Sequence, residues 1–419
     1  MKTLKRQLTL KDGIFLSIGS IMGSGILFLP SLIYATAGSN ILYVWLITTL
    51  LCLPLLYIFI DMVKSVPDCS GVQGFISIGL GENIGATVPV LFLGSVSLGM
   101  PASALIVGDY VKSFFHIGYG IQYITAMMIV FLGIISNLRG IRANSHIQMF
   151  ISLALLATAI AIFTLTFQEG DITRNVFAFP TQISVLLPGM VVAFWAYSGF
   201  ENLTFMAGEF KNPQKDFKWS MVIALIVCGL LYMLLSWSYA NVAQTEAVNP
   251  MIGLYQLAEA SGKGIFLTFI VTLFAFLSVQ INFNSWIWGI SRLIFSSAKQ
   301  NILPSYFSEL NDKFIPYRAI LLLGCIFFSS IFLFMLFPDF LKLAIYMVST
   351  NFIFIYFICV LSYFKYKKNI QSKIFALTII LALGFALVSS GWMAVYPLVL
   401  FLLGYVGYKK CSKRQASLF

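Results

Sequence analysis

Residues 147 to 167 contain no charged side chain, and most of them are apolar. A run of that length is stable only inside a large helical core or in the hydrocarbon of a bilayer. The pattern recurs along the chain. Such runs fall near 12–36, 41–63, 84–110, 121–138, 145–167, 183–208, 219–242, 264–297, 319–337, 340–363, 373–390 and 393–409. With 59% hydrophobic and 10% charged residues, the chain lacks the charge to cover a water-facing surface. The runs are long and do not alternate over about ten residues, so they read as helices and not as barrel strands. The sequence predicts an all-α integral membrane protein with twelve transmembrane helices.

A net charge of +11 raises nucleic acid or anionic lipid as partners. The distribution of the charge gives a different answer. With the N-terminus in the cytoplasm, 26 Lys and Arg divide so that only Lys112, Arg174, Lys263 and Lys342 fall outside. That is the positive-inside pattern, and it places both termini in the cytoplasm. No basic stripe is left over for nucleic acid. The basic N-terminus, the first apolar run and Ala35-Thr36-Ala37 imitate a secretory signal. The run is too long for one, Pro30 precedes the supposed cleavage site, and cleavage would invert the charge pattern.

Cysteines 52, 69, 228, 325, 359 and 411 form no C-x-x-C pair and read as packing residues or free thiols. His116 and His146 are too few and too far apart for a metal site, and no cofactor is implied. The longest connections, near 168–182, 243–263 and 298–318, are too short to hold a catalytic domain. Arg139, Arg142 and His146 read as a cytoplasmic topology anchor.

Two runs carry breaks that a lipid-embedded helix has reason to avoid. The first reads "GSIMGSGILFLP" from residue 19, with Gly23-Ser24-Gly25 in its middle. The sixth reads "FWAYSGFENLTFMAGEF", with Ser198-Gly199 followed by Glu201. The breaks stand five runs apart. Paired interruptions in matching positions of two halves point to a transporter built from inverted repeats. A helix broken at the midplane offers free N–H groups where its second half starts and free C=O groups where its first half ends. An amino acid is a zwitterion with matching ends. Its carboxylate suits the N–H groups of Gly23, Ser24 and Gly25. Its ammonium suits carbonyls near Ile21, Trp195 and Ser198. A glycine-rich packing face explains one such run, but two matched breaks, one with a carboxyl, favour a binding site.

At these residues the chain resembles the amino acid–polyamine–organocation (APC) transporter superfamily over nearly its whole length. "SIGSIMGSGILFLP" is similar to that family's first-helix motif. "FWAYSGFENLTFMAGEFKNPQKDF" is similar to its sixth helix, running into the E-x-K-N-P loop at Glu209, Lys211, Asn212 and Pro213. "SRLIFSSAKQNILP" is similar to the end of its eighth helix. The resemblance implies a 5+5 inverted-repeat core with discontinuous helices 1 and 6, over residues 1–363. Its repeats are about 12–167 and 183–363, and two further helices occupy 364–419. It also implies alternating access, and within the superfamily the likeness is greatest to small bacterial exporters of methionine and branched-chain amino acids. It places the carboxylate cradle on Gly23, Ser24 and Gly25, and the amine acceptors on Ile21, Trp195 and Ser198. Trp195 and Trp286 become aromatic lids, and Met100 and Ser103 face the pocket from the third helix. Several relatives carry a lysine in the fifth helix that stands in for a coupling ion, and this chain has none there.

Glu201 is the one carboxyl placed deep in a span, since Asp12, Asp61 and Asp109 lie near helix ends. It is a candidate for coupling to H+ or for gating, and equally for capping the second half-helix. Asn282 and Asn284 face either an ion or substrate path or neighbouring helices. The expectation is a secondary transporter of neutral, apolar L-amino acids in a bacterial inner membrane, as monomer or homodimer, with export favoured. An uptake symporter on the same fold is the alternative. A membrane enzyme lacks a second acid or histidine beside Glu201, and a channel does not need a compact break motif.

Overall fold

The computed structural model describes residues 8–66, 70–118, 120–140, 145–169, 185–242, 249–260 and 264–416. Cys69, Arg142, residues 170–184, and residues 243–248 and 261–263 lie outside the described residues, and only the backbone of His146 and Cys411 is described. The elements in chain order are α1 (Leu10–Met22), α2 (Gly25–Ala37), α3 (Ile41–Val63), α4 (Val72–Leu80), α5 (Glu82–Gly85), α6 (Val88–Phe115), α7 (Ile121–Leu138) and α8 (Ser145–Glu169). They continue as α9 (Leu187–Tyr197), α10 (Lys218–Val242), α11 (Gly253–Ala260), α12 (Gly264–Lys299), α13 (Tyr317–Leu336), α14 (Phe340–Tyr366), α15 (Ile370–Ser389) and α16 (Val395–Ala416). Among the described residues the only β pairing is a bridge between Leu8 and Phe210.

Nine stretches of described residues are long and apolar enough to cross a membrane. The first expected span enters that set only by its second half, which runs on into α3 as Gly25–Val63, and the sixth does not enter it, for one physical reason. Each is cut in two, and α1, α2 and α9 are 13, 13 and 11 residues long. The fifth, α8, has a shorter apolar stretch at Met149–Leu165. The second half of the sixth span differs from expectation in kind: Glu201–Glu209 is a 3₁₀-helix, followed by a π turn at Pro213–Phe217. A 3₁₀ stretch is wound more tightly than an α-helix, has poorer hydrogen-bond geometry and often marks a hinge or strained segment. Asp109 also lies deeper than a helix end, because α6 runs on to Phe115.

The foot of α1 is fixed on the basic side. Thr9 caps α1 in a reciprocal box with Asp12, its N–H donating to Asp12 Oδ2 at 2.9 Å. One residue earlier, the Leu8 N–H donates to Glu209 O at 2.9 Å, and the Lys211 N–H returns a bond to Leu8 O at 2.8 Å. The E-x-K-N-P loop is therefore paired to the foot of α1. Glu209 itself turns inward. Arg292 Nε on α12 donates to Glu209 Oε1 at 2.6 Å, and Trp288 Nε1 reaches the same oxygen at 3.3 Å. The Arg292 guanidinium lies 4.4 Å from the centre of the Trp288 ring. The side chains of Arg292 and Glu209 are only 12% and 4% exposed. α15 and α16 pack against α14 and α6 and leave large apolar faces outward, including Leu381, Phe385, Leu402 and Leu403.

Removing one member of a buried ion pair strands the other's charge and costs about 3–5 kcal/mol. Arg292→Met is therefore expected to destabilise the protein by about 3 kcal/mol. Arg292→Met with Glu209→Leu is expected to recover most of that loss. Thermal unfolding of the purified variants in one detergent measures both. Equal losses in the single and double variants would show that the pair carries no weight in the fold.

Candidate functional site

The first break is built by glycine. Gly23 has φ +35° and ψ −129°, and a Cβ there would lie 2.5 Å from Asn282 Nδ2. Gly199 opens the second break with φ +135°, and a Cβ there would lie 2.4 Å from Ser20 O. L-residues with side chains rarely adopt either conformation. The two breaks touch: Ser20 Oγ donates to Gly199 O at 3.0 Å.

Carbonyls released at the end of α1 find donors on other elements. Asn282 Nδ2 donates to Gly19 O at 3.1 Å and to Ser20 O at 3.0 Å. Ser278 Oγ donates to Gly23 O at 2.9 Å, and Tyr232 OH to Met22 O at 3.3 Å and Ile21 O at 3.5 Å. Asn202 Nδ2 donates to Ser285 O at 3.0 Å. Residues 278, 282 and 285 stand at the four- and three-residue spacing that lines one face of α12. That face is turned to the break. Asn284 faces elsewhere, accepting from Ser136 Oγ at 2.8 Å.

Beside the first break lies a small cavity of about 30 Å³. That is room for about two waters. Ile21, Gly23, Ser24 and Gly25 line it from the break, and Met100 and Ser103 from α6. Trp195 and Ser198 line it from the end of α9, and Trp286 from α12. All nine residues expected to contact a substrate thus border one space. Asn282 borders it too while bonding the neighbouring helix. Glu201 does not border it. No charged side chain lines it.

The cavity has a polar and an apolar part. At the break, Ser24 Oγ and Ser103 Oγ share a hydrogen bond of 2.6 Å. The Trp195 carbonyl accepts from Ser198 Oγ at 2.7 Å and from the Ser198 N–H at 3.1 Å. Ser20 and Ser95 also border it, and away from the break the lining is completed by Val96, Gly99, Val348 and Phe352. Sequence reasoning did not select these four. Gly99 and Val96 are signalled only by standing one and two turns before Ser103 on α6. Val348 and Phe352 sit on α14, where nothing in the apolar run sets them apart. Trp195 packs edge-on to Phe28 with ring centres 6.2 Å apart, and Trp286 lies 5.8 Å from Phe352.

Glu201 is fully buried behind the second break. Both its oxygens accept from the Gly199 N–H at 3.0 Å. Its Oε2 also accepts from Tyr356 OH on α14. The Tyr356 ring stacks on Phe200 at 5.2 Å. The carboxylate therefore caps the released N–H and ties the break to α14. Both features assigned to Glu201 in the sequence, a cap and a buried ionisable group, meet in this one geometry.

Comparison with known proteins agrees with the architecture. Residues 8–403 match the amino acid permease family. The L-methionine/branched-chain amino acid exporter YjeH of Escherichia coli is 27% identical over 96% of this chain and 95% of its own length. An uncharacterized amino acid permease, YecA of Bacillus subtilis, is 26% identical over the same shares. The branched-chain amino acid permease BcaP of Bacillus subtilis is 23% identical over 76% of this chain and 72% of its own length. With a family match that spans nearly the whole chain, this protein belongs to the amino acid permeases, and it is a multi-pass membrane transporter of amino acids and not an enzyme.

Proposed function

We propose that the protein exports neutral, apolar L-amino acids of the methionine, leucine, isoleucine and valine type by alternating access. The observation that carries this reading is the cavity. It adjoins two helix breaks, holds no charged side chain, and away from the breaks is apolar except for Ser95. A zwitterionic backbone suits the first part and an uncharged side chain suits the second. A cationic or anionic side chain would be buried there without a partner, at a cost of several kcal/mol. The name of the Escherichia coli relative favours export of these substrates, and uptake on the same fold is the second reading.

In the proposed binding mode, the substrate carboxylate meets the N–H groups of Gly23, Ser24 and Gly25, which helix geometry leaves without intrahelical acceptors. The ammonium meets the carbonyls of Ile21, Trp195 and Ser198. That of Ile21 accepts from Tyr232 OH and keeps room for a further donor. That of Trp195 already accepts twice from Ser198, so it takes the ammonium in exchange for one of those bonds. Trp195 and Trp286 enclose the side chain, with Met100 and Ser103 opposite. Glu201 is the coupling or gating residue, and H+ is its candidate ion.

The frame for this reading is twelve spans. Residues 1–363 form a core of two inverted repeats, about 12–167 and 183–363, and 364–419 add two helices. Both termini face the cytoplasm of a bacterium, from the inner membrane, because that orientation puts almost all the Lys and Arg inside. The protein works as a monomer or a homodimer.

Counterflow in proteoliposomes loaded with unlabelled amino acids tests the substrate class. Saturable uptake of labelled methionine or leucine, competed by apolar and not by charged amino acids, is expected. Absence of exchange with any apolar amino acid, from folded protein, would discard the assignment. Ser24→Trp fills the cradle and is expected to abolish exchange without loss of insertion; normal exchange would remove Ser24 from the site. Glu201→Gln keeps a hydrogen-bonding side chain but cannot ionise. It is expected to retain counterflow while net flux loses its dependence on pH. An unchanged pH profile of net flux would leave Glu201 with the cap alone.

A further inference from the structure

We propose that Gly99 sets the size of side chain that the cavity accepts, by giving the indole of Trp195 a seat against α6 beside Val348. This inference rests on the cavity being the amino-acid site.

Gly99 lies on α6 one turn before Ser103, whose hydroxyl meets Ser24 at the break. A Cβ at Gly99 would stand 3.2 Å from Cη2 of Trp195 and 3.3 Å from Cγ1 of Val348. Cζ2 of Trp195 would follow at 3.7 Å. Three elements, α6, α9 and α14, therefore converge on a residue with no side chain. The atoms they bring are the far edge of an indole and one methyl of a valine. Both of those side chains border the cavity.

A methyl at Gly99 would be too close to both neighbours by a few tenths of an ångström, so one of them must give. Val348 is β-branched within α14, 2% exposed, and has little χ1 freedom. Trp195 is held edge-on by Phe28 on one side and meets the cavity on another. The free space lies in the cavity, so the indole moves into it. The volume lost comes from the apolar part, while the polar part around Ser24 and Ser103 keeps its geometry. The change therefore acts on the substrate side chain and not on its backbone. One methylene in a closely fitting apolar pocket is worth about 10–200-fold in discrimination.

A small residue placed only for helix packing would behave differently. Enlarging it would weaken every substrate by a common factor. Enlarging a size limit changes the ratio between substrates.

Counterflow competition with alanine, valine, leucine, methionine and phenylalanine separates the two. If the wild-type protein exchanges none of them, the amino-acid site itself is discarded, and the role of Gly99 with it. Given wild-type exchange, Gly99→Ala is expected to lower leucine and methionine relative to alanine by about ten-fold or more. Val348→Ala removes the opposing methyl and is expected to raise phenylalanine relative to leucine. Val348→Ala added to Gly99→Ala is expected to restore the leucine-to-alanine ratio. A Gly99→Ala variant that loses all five substrates in proportion would overturn the proposal. So would a Val348→Ala variant with the wild-type ranking, and this second test does not depend on Gly99→Ala folding.

Discussion

Everything at the centre of this protein depends on the backbone groups set free where two helices break inside the membrane. In hydrocarbon each unpaired group costs several kcal/mol. The carbonyl side of the first break is supplied by side chains: Ser278, Asn282 and Tyr232 reach the carbonyls of Gly19, Ser20, Ile21, Met22 and Gly23. These donors sit on α10 and α12, so the break can form only where those helices pass. The amino side has a different neighbour. The start of α2 borders the cavity. A break whose carbonyl end is satisfied by the protein and whose N–H end faces an uncharged space is predisposed to take up an anionic group there.

The second break obeys the same constraint with other means. Gly199 allows a backbone no other residue adopts easily, and Glu201 returns to cap it. The segment from Glu201 to Glu209 is a 3₁₀-helix, whose own hydrogen bonds are poorer than those of an α-helix. That segment is held at its ends instead. At its start Glu201 is bonded to Tyr356 on α14, and at its finish Glu209 is bonded to Arg292 on α12. Between those two carboxylates, the segment's position relative to α12 and α14 is set by side-chain bonds. Such bonds can be exchanged without unravelling a helix. The paired loop at Leu8 adds the foot of α1 to the same assembly. The two broken helices are linked at the cavity through Ser20 and Gly199 and at the basic end through Leu8 and Glu209.

Much of this was legible in the sequence because it rests on local chemistry. Glycine, serine and proline in an apolar run announce a break, and an acid beside a break announces a cap. Ile21, Gly23, Ser24, Gly25, Met100, Ser103, Trp195, Ser198 and Trp286 all reach one cavity because each is tied to a break or to a helix that a family motif could register. Val348 and Phe352 were not legible. They lie in α14, an apolar helix in which bilayer and cavity ask for the same residue types. Gly99 was hidden for the opposite reason, since small residues are common in membrane helices for packing alone. The partner of Glu209 was also hidden. An arginine near the end of a span reads as a topology anchor, and only the fold brings Arg292 to a loop more than eighty residues earlier in the chain. The 3₁₀ geometry of Glu201–Glu209 carries no sequence signature beyond the break that precedes it.

The absence of charge around the cavity bears on selection as much as on binding. A pocket that discriminates by a counter-ion recruits one side-chain type strongly and must hold its own charge buried when empty. An uncharged pocket carries no such cost, and it rejects charged side chains because they would lose water and gain no partner. What remains for it to sense is volume and shape. In this cavity those are set by aromatic edges and aliphatic methyls: Trp195 on Gly99, Trp286 on Phe352, and Val348 opposite the seat of Trp195. Contacts of this kind differ by fractions of an ångström and not by hydrogen bonds made or lost. Such a site tolerates a group of related apolar side chains and draws its sharpest boundary at a size. In the proposed binding mode the polar breaks hold the substrate backbone and a mostly apolar wall meets its side chain, and the two are joined through Trp195 and through the bond from the Ser103 hydroxyl to the Gly99 carbonyl.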